Sequence, residues 1–189
     1  MAPRVLDAIK QDHRDLEMLY NEIVNGKDTG ARTRFQNMFA WELARHSVAE
    51  DLVLYPAFEK YLSNGRQMAD RDREENHVIK EHLKNFQNLD AASPDFFPVL
   101  DSLMRDLKKH IHAEETVDIP QLEDAVSQNE SEGLAKSFER TKIFAPSRAH
   151  PHAPSKPPFE TAVNLITAPI DQVADMFRRW PSKKDISIK

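Results

Sequence analysis

The chain has 189 residues, a formal net charge of −5, eight histidines and no cysteine. The lack of cysteine excludes disulfides, iron–sulfur clusters, thiolate zinc sites and cysteine nucleophiles, so a metal would have to bind to imidazole and carboxylate groups. The acidic balance argues against a nucleic-acid-binding protein. No apolar run approaches the ~18 residues of a membrane span, and residues 1–20 lack a signal-peptide core. We therefore predict a cytoplasmic protein.

Apolar residues recur at alternating spacings of three and four, which predicts helices through most of the chain. We predict helices over residues 4–25, 32–64, 70–90 and 94–126, and a weaker fifth helix over 130–143. Short connections make sequential helices antiparallel. The expected fold is therefore all-α, an up-down-up-down four-helix bundle over residues 1–126 with an extra helix over 127–145.

Five prolines between Pro146 and Pro158 predict an extended connector over 146–158. Residues 159–189 then carry an apolar stripe at helical spacing, formed by Ile166, Ile170, Val173, Phe177 and Trp180. We predict an amphipathic helix that packs on the bundle, with Pro169 in its first turn. The alternative is a surface for a protein partner or a membrane, because four basic residues lie near its end.

Several side chains of the metal-binding type lie on the apolar rows of the predicted helices, where unpaired polar groups are costly. They are His13, His46, Glu50, His110 and Glu114. In two helices a glutamate follows a histidine by four residues, so each pair shares one helix face. Two such pairs from two helices, with single histidines from the others, can surround two metal ions.

The two pairs belong to an internal duplication. HSVAEDLVLYP at 46–56 matches HIHAEETVDIP at 110–120 with an offset of 64. A duplicated helical hairpin predicts a pseudo-twofold bundle in which each half supplies ligands for one metal.

On these residues the chain resembles the hemerythrin-like, or HHE cation-binding, family. The resemblance covers roughly residues 1–126 and lies in the Asp12-His13 pair and in the runs that begin at His46 and His110. It implies a non-haem di-iron centre, with two iron ions joined by an oxo or carboxylate bridge; zinc or manganese also suits these ligands. It also implies that the five side chains on the apolar rows are ligands.

The third helix departs from the family pattern. An offset of 64 aligns His77 with His13, whereas an offset of 63 aligns the apolar rows and puts Asn76 in the ligand position. Each helical residue turns by roughly 100°, so a regular helix would direct His77 away from the core.

Three alternatives remain open for this helix. A π-bulge or a frayed start could turn His77 inward together with Glu81; Asn76 could be a weak ligand; or His82 could reach the site. We favour His77. The predicted metal site is therefore His13, His46, Glu50, His77, His110 and Glu114, with His112, His150 and His152 on the surface.

Such a site leaves open positions for a small ligand. The family's oxygen carriers have an aspartate where this chain has Glu114, and one more histidine. Greater carboxylate donation favours Fe(III), so we expect reaction with, or sensing of, O2, peroxide or nitric oxide, or iron handling, instead of oxygen carriage.

The rival hypothesis is a metal-poor helical interaction module with vestigial ligands, which Asn76 supports. A mononuclear hydrolase is disfavoured because the sequence shows no candidate nucleophile.

Overall fold

The computed structural model describes residues 2–151, 171, 174–176, 178–182 and 185. Its helices are α1 (Val5–Val24), α2 (Thr29–Ala49), α3 (Tyr55–Tyr61), α4 (Gly65–Phe86), α5 (Phe96–Ala113), α6 (Ile119–Ala125) and α7 (Gln128–Phe144). A first π segment, Glu50–Leu54, joins α2 to α3, and a second π segment, Glu114–Asp118, joins α5 to α6. The described residues include no strand.

The predicted all-α bundle is confirmed. Its four rods are α1, α2 with α3, α4, and α5 with α6, and α7 packs against α1, α2 and the first π segment. Among the helices that the structure describes, none is long and apolar enough to cross a bilayer.

The π segments differ from the prediction. The periodicity predicts continuous second and fourth helices, and a π-bulge was considered only for the third helix, whereas both π segments lie in the duplicated motifs. Pro56 and Pro120 are the second residues after these segments. A proline ring clashes with the carbonyl group four residues earlier, and the wider π turn gives this group room. The sequence duplication is thus also a duplication of local structure.

Helix α4 begins at Gly65, earlier in the chain than predicted. A Cβ atom at this position would lie 1.8 Å from the carbonyl oxygen of Phe58 in α3. Glycine therefore allows the start of α4 to pack directly on the backbone of α3.

Two apolar clusters fill the bundle, and a polar layer separates them. One cluster contains Leu16, Phe39, Leu43, Phe86 and Leu107, and the other contains Ile9, Tyr55, Phe58, Ile119 and Phe138. Along α1, His13 lies between Ile9 of the second cluster and Leu16 of the first. The rods therefore place their inward histidines and glutamates between the two apolar clusters.

The described residues near the C-terminus contact α2. Nδ2 of Asn37 donates a hydrogen bond to the carbonyl oxygen of Arg179 at 2.9 Å, and the rings of Trp41 and Trp180 lie 6.3 Å apart. Most of the predicted connector, most of the predicted C-terminal helix, and His152 lie outside the described residues.

Truncation of the buried Leu83 of α4 tests the first apolar cluster. Leu83→Ala should lower the free energy of unfolding by about 2–5 kcal/mol, because it removes a fully buried side chain and leaves a cavity. Val78 of the same helix is 42% exposed, so Val78→Ala should change stability by less than about 0.5 kcal/mol. If urea unfolding showed the same loss of unfolding free energy in both variants, the result would contradict this packing.

Candidate metal centre

Five candidate ligands meet in the polar layer at the middle of the bundle. His13 comes from α1, His46 from α2, Glu50 from the first π segment, His110 from α5 and Glu114 from the second π segment. Each is at most 2% exposed. In His13, His46, Glu50 and Glu114, one potential ligand atom per residue lies within 4.8 Å of the others.

The three imidazoles direct their Nε2 atoms at the two glutamates. Nε2 of His46 lies 2.7 Å from Oε1 of Glu50. The two oxygens of Glu114 face different histidines: Oε1 lies 3.4 Å from Nε2 of His110, and Oε2 lies 3.5 Å from Nε2 of His13. The hydroxyl of the buried Tyr55 donates to Oε2 of Glu50 at 3.4 Å.

Many of these atoms lack a hydrogen-bond partner among the described residues. They are Nε2 of His13, Nε2 of His110, Oε1 of Glu50 and both carboxylate oxygens of Glu114. Oε1 of Glu50 accepts no hydrogen bond of normal angle despite its short approach to His46. Because buried polar atoms are nearly always paired, such a set calls for a cation. Imidazole and carboxylate donors fit iron, zinc or manganese.

A carboxylate holds each histidine from behind, at Nδ1. The pairs and their N–O distances are His13 with Glu115 at 2.9 Å, His46 with Asp12 at 3.1 Å, and His110 with Glu75 at 3.2 Å. An ionised carboxylate can only accept, so Nδ1 carries the proton that it donates. The contact fixes the ring orientation and presents Nε2 to the centre, as metal-binding histidines require.

Burial and charge oppose each other at the centre. Burial alone would lower the pKa of His110, but the carboxylates of Glu114 and Glu75 outweigh burial and raise that pKa to about 9. Burial would raise the pKa of Glu50, but the adjacent His46 lowers it to about 2. Burial and the charge of Glu50 together raise the pKa of Glu114. Positive charge, as protons or as metal ions, is therefore needed to keep both glutamates inside.

The predicted inward position of His77 is wrong. Its side chain is 48% exposed and lies 3.5 Å from Glu81 on the outer face of α4. The α-helix runs without interruption from Gly65 to Phe86, so the row of Ile79, Leu83 and Phe86 faces the core and His77 faces away. His82 contacts α5 instead of the centre: its Nδ1 lies 3.1 Å from Oδ2 of Asp106.

Asn76 takes the inward position on α4 and is 1% exposed. Its Nδ2 donates to the carbonyl oxygen of Ser47 at 3.1 Å, whereas Oδ1 accepts no hydrogen bond from a described residue. One turn later, the buried Lys80 forms an ion pair with Asp51 of the first π segment. Helix α4 therefore presents an amide and an ammonium group to the interior, where an imidazole was predicted.

A further polar group connects this layer with the surface. Nη2 of the half-exposed Arg71 lies 2.7 Å from Oδ1 of Asp72 and 2.7 Å from Oδ1 of Asp118. Both aspartates are buried, and burial, together with the charge of Asp118, raises the pKa of Asp72 to about 7. Neither aspartate lies in a His-x-x-x-Glu unit, so the sequence motifs did not predict this group.

The fold and the site together define a class: helical bundles that bind cations through inward imidazole and carboxylate groups. Comparison with known proteins agrees with this class. The family model described as "Hemerythrin HHE cation binding domain" matches residues 4–132. An uncharacterized hemerythrin-like protein of Schizosaccharomyces pombe is 52% identical over 179 residues, which cover 94% of this chain and 88% of that protein. The chain therefore belongs to the hemerythrin HHE cation-binding family, as its motifs predicted.

Two more distant similarities were found. The crystal structure of an HHE cation-binding domain-containing protein from Mycobacterium kansasii has a TM-score of 0.62 and 20% identity, over 75% of this chain and 86% of that chain. This similarity shows the shared fold. A DNA nickase of Nostoc is 22% identical over 140 residues, which cover 73% of this chain but only 39% of that protein.

The ion pair between Lys80 and Asp51 gives a test of the polar layer in metal-free protein. Lys80→Met should lower the free energy of unfolding by about 3–5 kcal/mol, because it removes the cation that forms an ion pair with the buried Asp51 carboxylate. The double change Lys80→Met with Asp51→Leu should recover most of this loss, since no charge is left unpaired.

The exposed Lys108 provides the matched control, and Lys108→Met should cost less than about 0.5 kcal/mol. If Lys80→Met and Lys108→Met gave the same unfolding free energy in urea, the proposed burial of the Lys80 charge would be incorrect.

Proposed function

We propose that this protein is a non-haem iron protein whose centre reacts with O2, peroxide or nitric oxide. The observation that carries the proposal is the closed group of imidazole and carboxylate atoms, 0–2% exposed, most of which lack a hydrogen-bond partner among the described residues. A core without a bound cation would be expected to pair these atoms with each other or to replace them with apolar groups. This observation favours a working centre over a metal-poor interaction module.

Two ions are proposed because the ligands divide into two groups around Glu114. His13, His46, Glu50 and one oxygen of Glu114 form the first group, which lies within a sphere suited to a single ion. His110 and the other oxygen of Glu114 form the second group. The buried amide oxygen of Asn76, which accepts no hydrogen bond from a described residue, would be a further donor, and an amide oxygen is a weaker ligand than imidazole. Glu114 would therefore contribute to two metal positions, one with several protein ligands and one with few.

Iron bound here would supply one-electron redox chemistry and an open position for a small ligand. The chain's own groups set the conditions for that chemistry. The carboxylates behind the histidines fix the rings, the hydroxyl of Tyr55 orients Glu50, and the apolar clusters exclude water from both ends. Two glutamates and few imidazoles favour the ferric state, which supports reaction over reversible carriage of O2.

Metal analysis of two histidine variants tests the ligand set. Wild-type protein loaded with Fe(II) under anaerobic conditions and then desalted should retain about two irons per chain. His13→Gln should lower the retained iron, because it removes a ligand from the first group. His77→Gln should retain the wild-type amount, since His77 faces solvent. Iron-free wild-type protein, or equal loss in both variants, would contradict the assignment.

Rapid mixing of the ferrous protein with O2 tests the type of reaction. We expect oxidation of the iron that is not reversed when O2 is removed under argon, because carboxylate donors stabilise Fe(III). The absorption spectrum after mixing and after argon exchange reports the outcome. A stable adduct that returns to the ferrous spectrum under argon would instead indicate an oxygen carrier.

A further inference from the structure

Each carboxylate that holds a histidine is itself paired with a cation. Nη1 of Arg14 lies 3.2 Å from Glu115, Nζ of Lys109 lies 3.4 Å from Glu75, and Nζ of Lys142 lies 2.6 and 2.8 Å from the two oxygens of Asp12. The three cations differ in burial. The side chains of Arg14 and Lys109 are 54% and 78% exposed, whereas that of Lys142 is 7% exposed. Solvent screens the first two pairs, but it does not screen the third.

Lys142 comes from α7, which lies beyond the four rods of the bundle. One turn earlier on the same face of α7, the fully buried Phe138 places its ring edge-on to the ring of His46, with centroids 5.6 Å apart. Helix α7 thus contacts His46 twice: directly through Phe138, and through Asp12 by means of Lys142.

The end of α7 is fixed against α2 at this point. Nε of Arg45 donates to the carbonyl oxygen of Lys142 at 2.6 Å. The guanidinium group of Arg45 also lies over the ring of Trp41, at 3.8 Å from its centroid. These contacts hold the backbone of Lys142 in place, so its ammonium group approaches Asp12 from a fixed position.

Charged groups of both signs surround Asp12 and Lys142. The charged groups that face Asp12 and Lys142 are Asp15 on α1, Glu42, Arg45 and His46 on α2, and Glu139 on α7. Without Lys142, the buried Asp12 carboxylate would lose its closest cation, which donates to both of its oxygens. The carboxylate would then be free to turn away from its present position, and its hold on Nδ1 of His46 would weaken.

We propose that α7 is a working part of the metal centre, in which Lys142 is a positioning residue: it holds Asp12 against His46 and so keeps Nε2 of His46 directed at Glu50. This inference rests on the proposed function. It assigns to the helix outside the bundle a specific part in metal binding, besides its part in packing.

Titration of metal-free protein with Co(II) under anaerobic conditions tests this inference. Lys142→Met should weaken Co(II) binding by about tenfold, the loss typical when the partner behind a metal-bound histidine is disturbed, and should shift the visible Co(II) absorption bands. Lys142→Arg keeps the charge and should restore both affinity and spectrum. Lys109→Met removes the corresponding exposed cation and should have a clearly smaller effect.

A double-mutant cycle separates positioning from general destabilisation. If Lys142 acts through Asp12, Lys142→Met should cause no further loss of Co(II) affinity in an Asp12→Asn background. The double variant carries no unpaired buried charge, so this comparison stands even if Lys142→Met alone does not fold.

Three results would overturn the inference: wild-type affinity in Lys142→Met, equal effects of Lys142→Met and Lys109→Met, or a further tenfold loss in the double variant. Failure of the wild-type protein to bind either Co(II) or Fe(II) would be visible before any variant is made. That result would remove the proposed function and this inference together.

Discussion

Two carboxylates, those of Glu50 and Glu114, are buried together at the centre of the bundle, and the surrounding structure compensates for their charge. Three imidazole Nε2 atoms face their oxygens at 2.7–3.5 Å. Burial and mutual repulsion would otherwise protonate the glutamates or expel them. The same arrangement that neutralises the carboxylates also creates a ligand shell, because imidazole and carboxylate donors around one point suit a transition-metal ion.

The support for this shell comes from residues that lie next to inward residues in the chain. Asp12 precedes His13 but holds His46; Glu115 follows Glu114 but holds His13; Glu75 precedes the inward Asn76 and holds His110. One step along a helix turns the side chain by about 100°, from the bundle axis toward a neighbouring rod. Three of the four rods therefore direct one group to the centre and use the adjacent residue to brace a histidine of another rod, so the centre and the bundle stabilise each other.

Periodicity predicted much of this from the sequence. The helical period placed the rods, and a spacing of four placed each glutamate one turn after its histidine. It did not locate the π segments, because the period averages over whole turns; Pro56 and Pro120 were the local signal. The inward residue of the third helix was predicted incorrectly, because registers one residue apart differ only in which side chain faces inward. The row of Ile79, Leu83 and Phe86 decides for Asn76 over His77. The contact of Lys142 with Asp12, across 130 positions, follows from tertiary packing.

In the proposed iron centre, the two metal positions would have different numbers of protein ligands. Helix α7, which lies outside the four rods, would support the ligands on the His46 side. The most direct test of the account is a crystal structure of iron-loaded protein with diffraction data collected at the iron absorption edge. We expect anomalous density between Nε2 of His46, Nε2 of His13 and the carboxylates of Glu50 and Glu114. Absence of density there, or density only at surface groups such as His77 and Glu81, would contradict it.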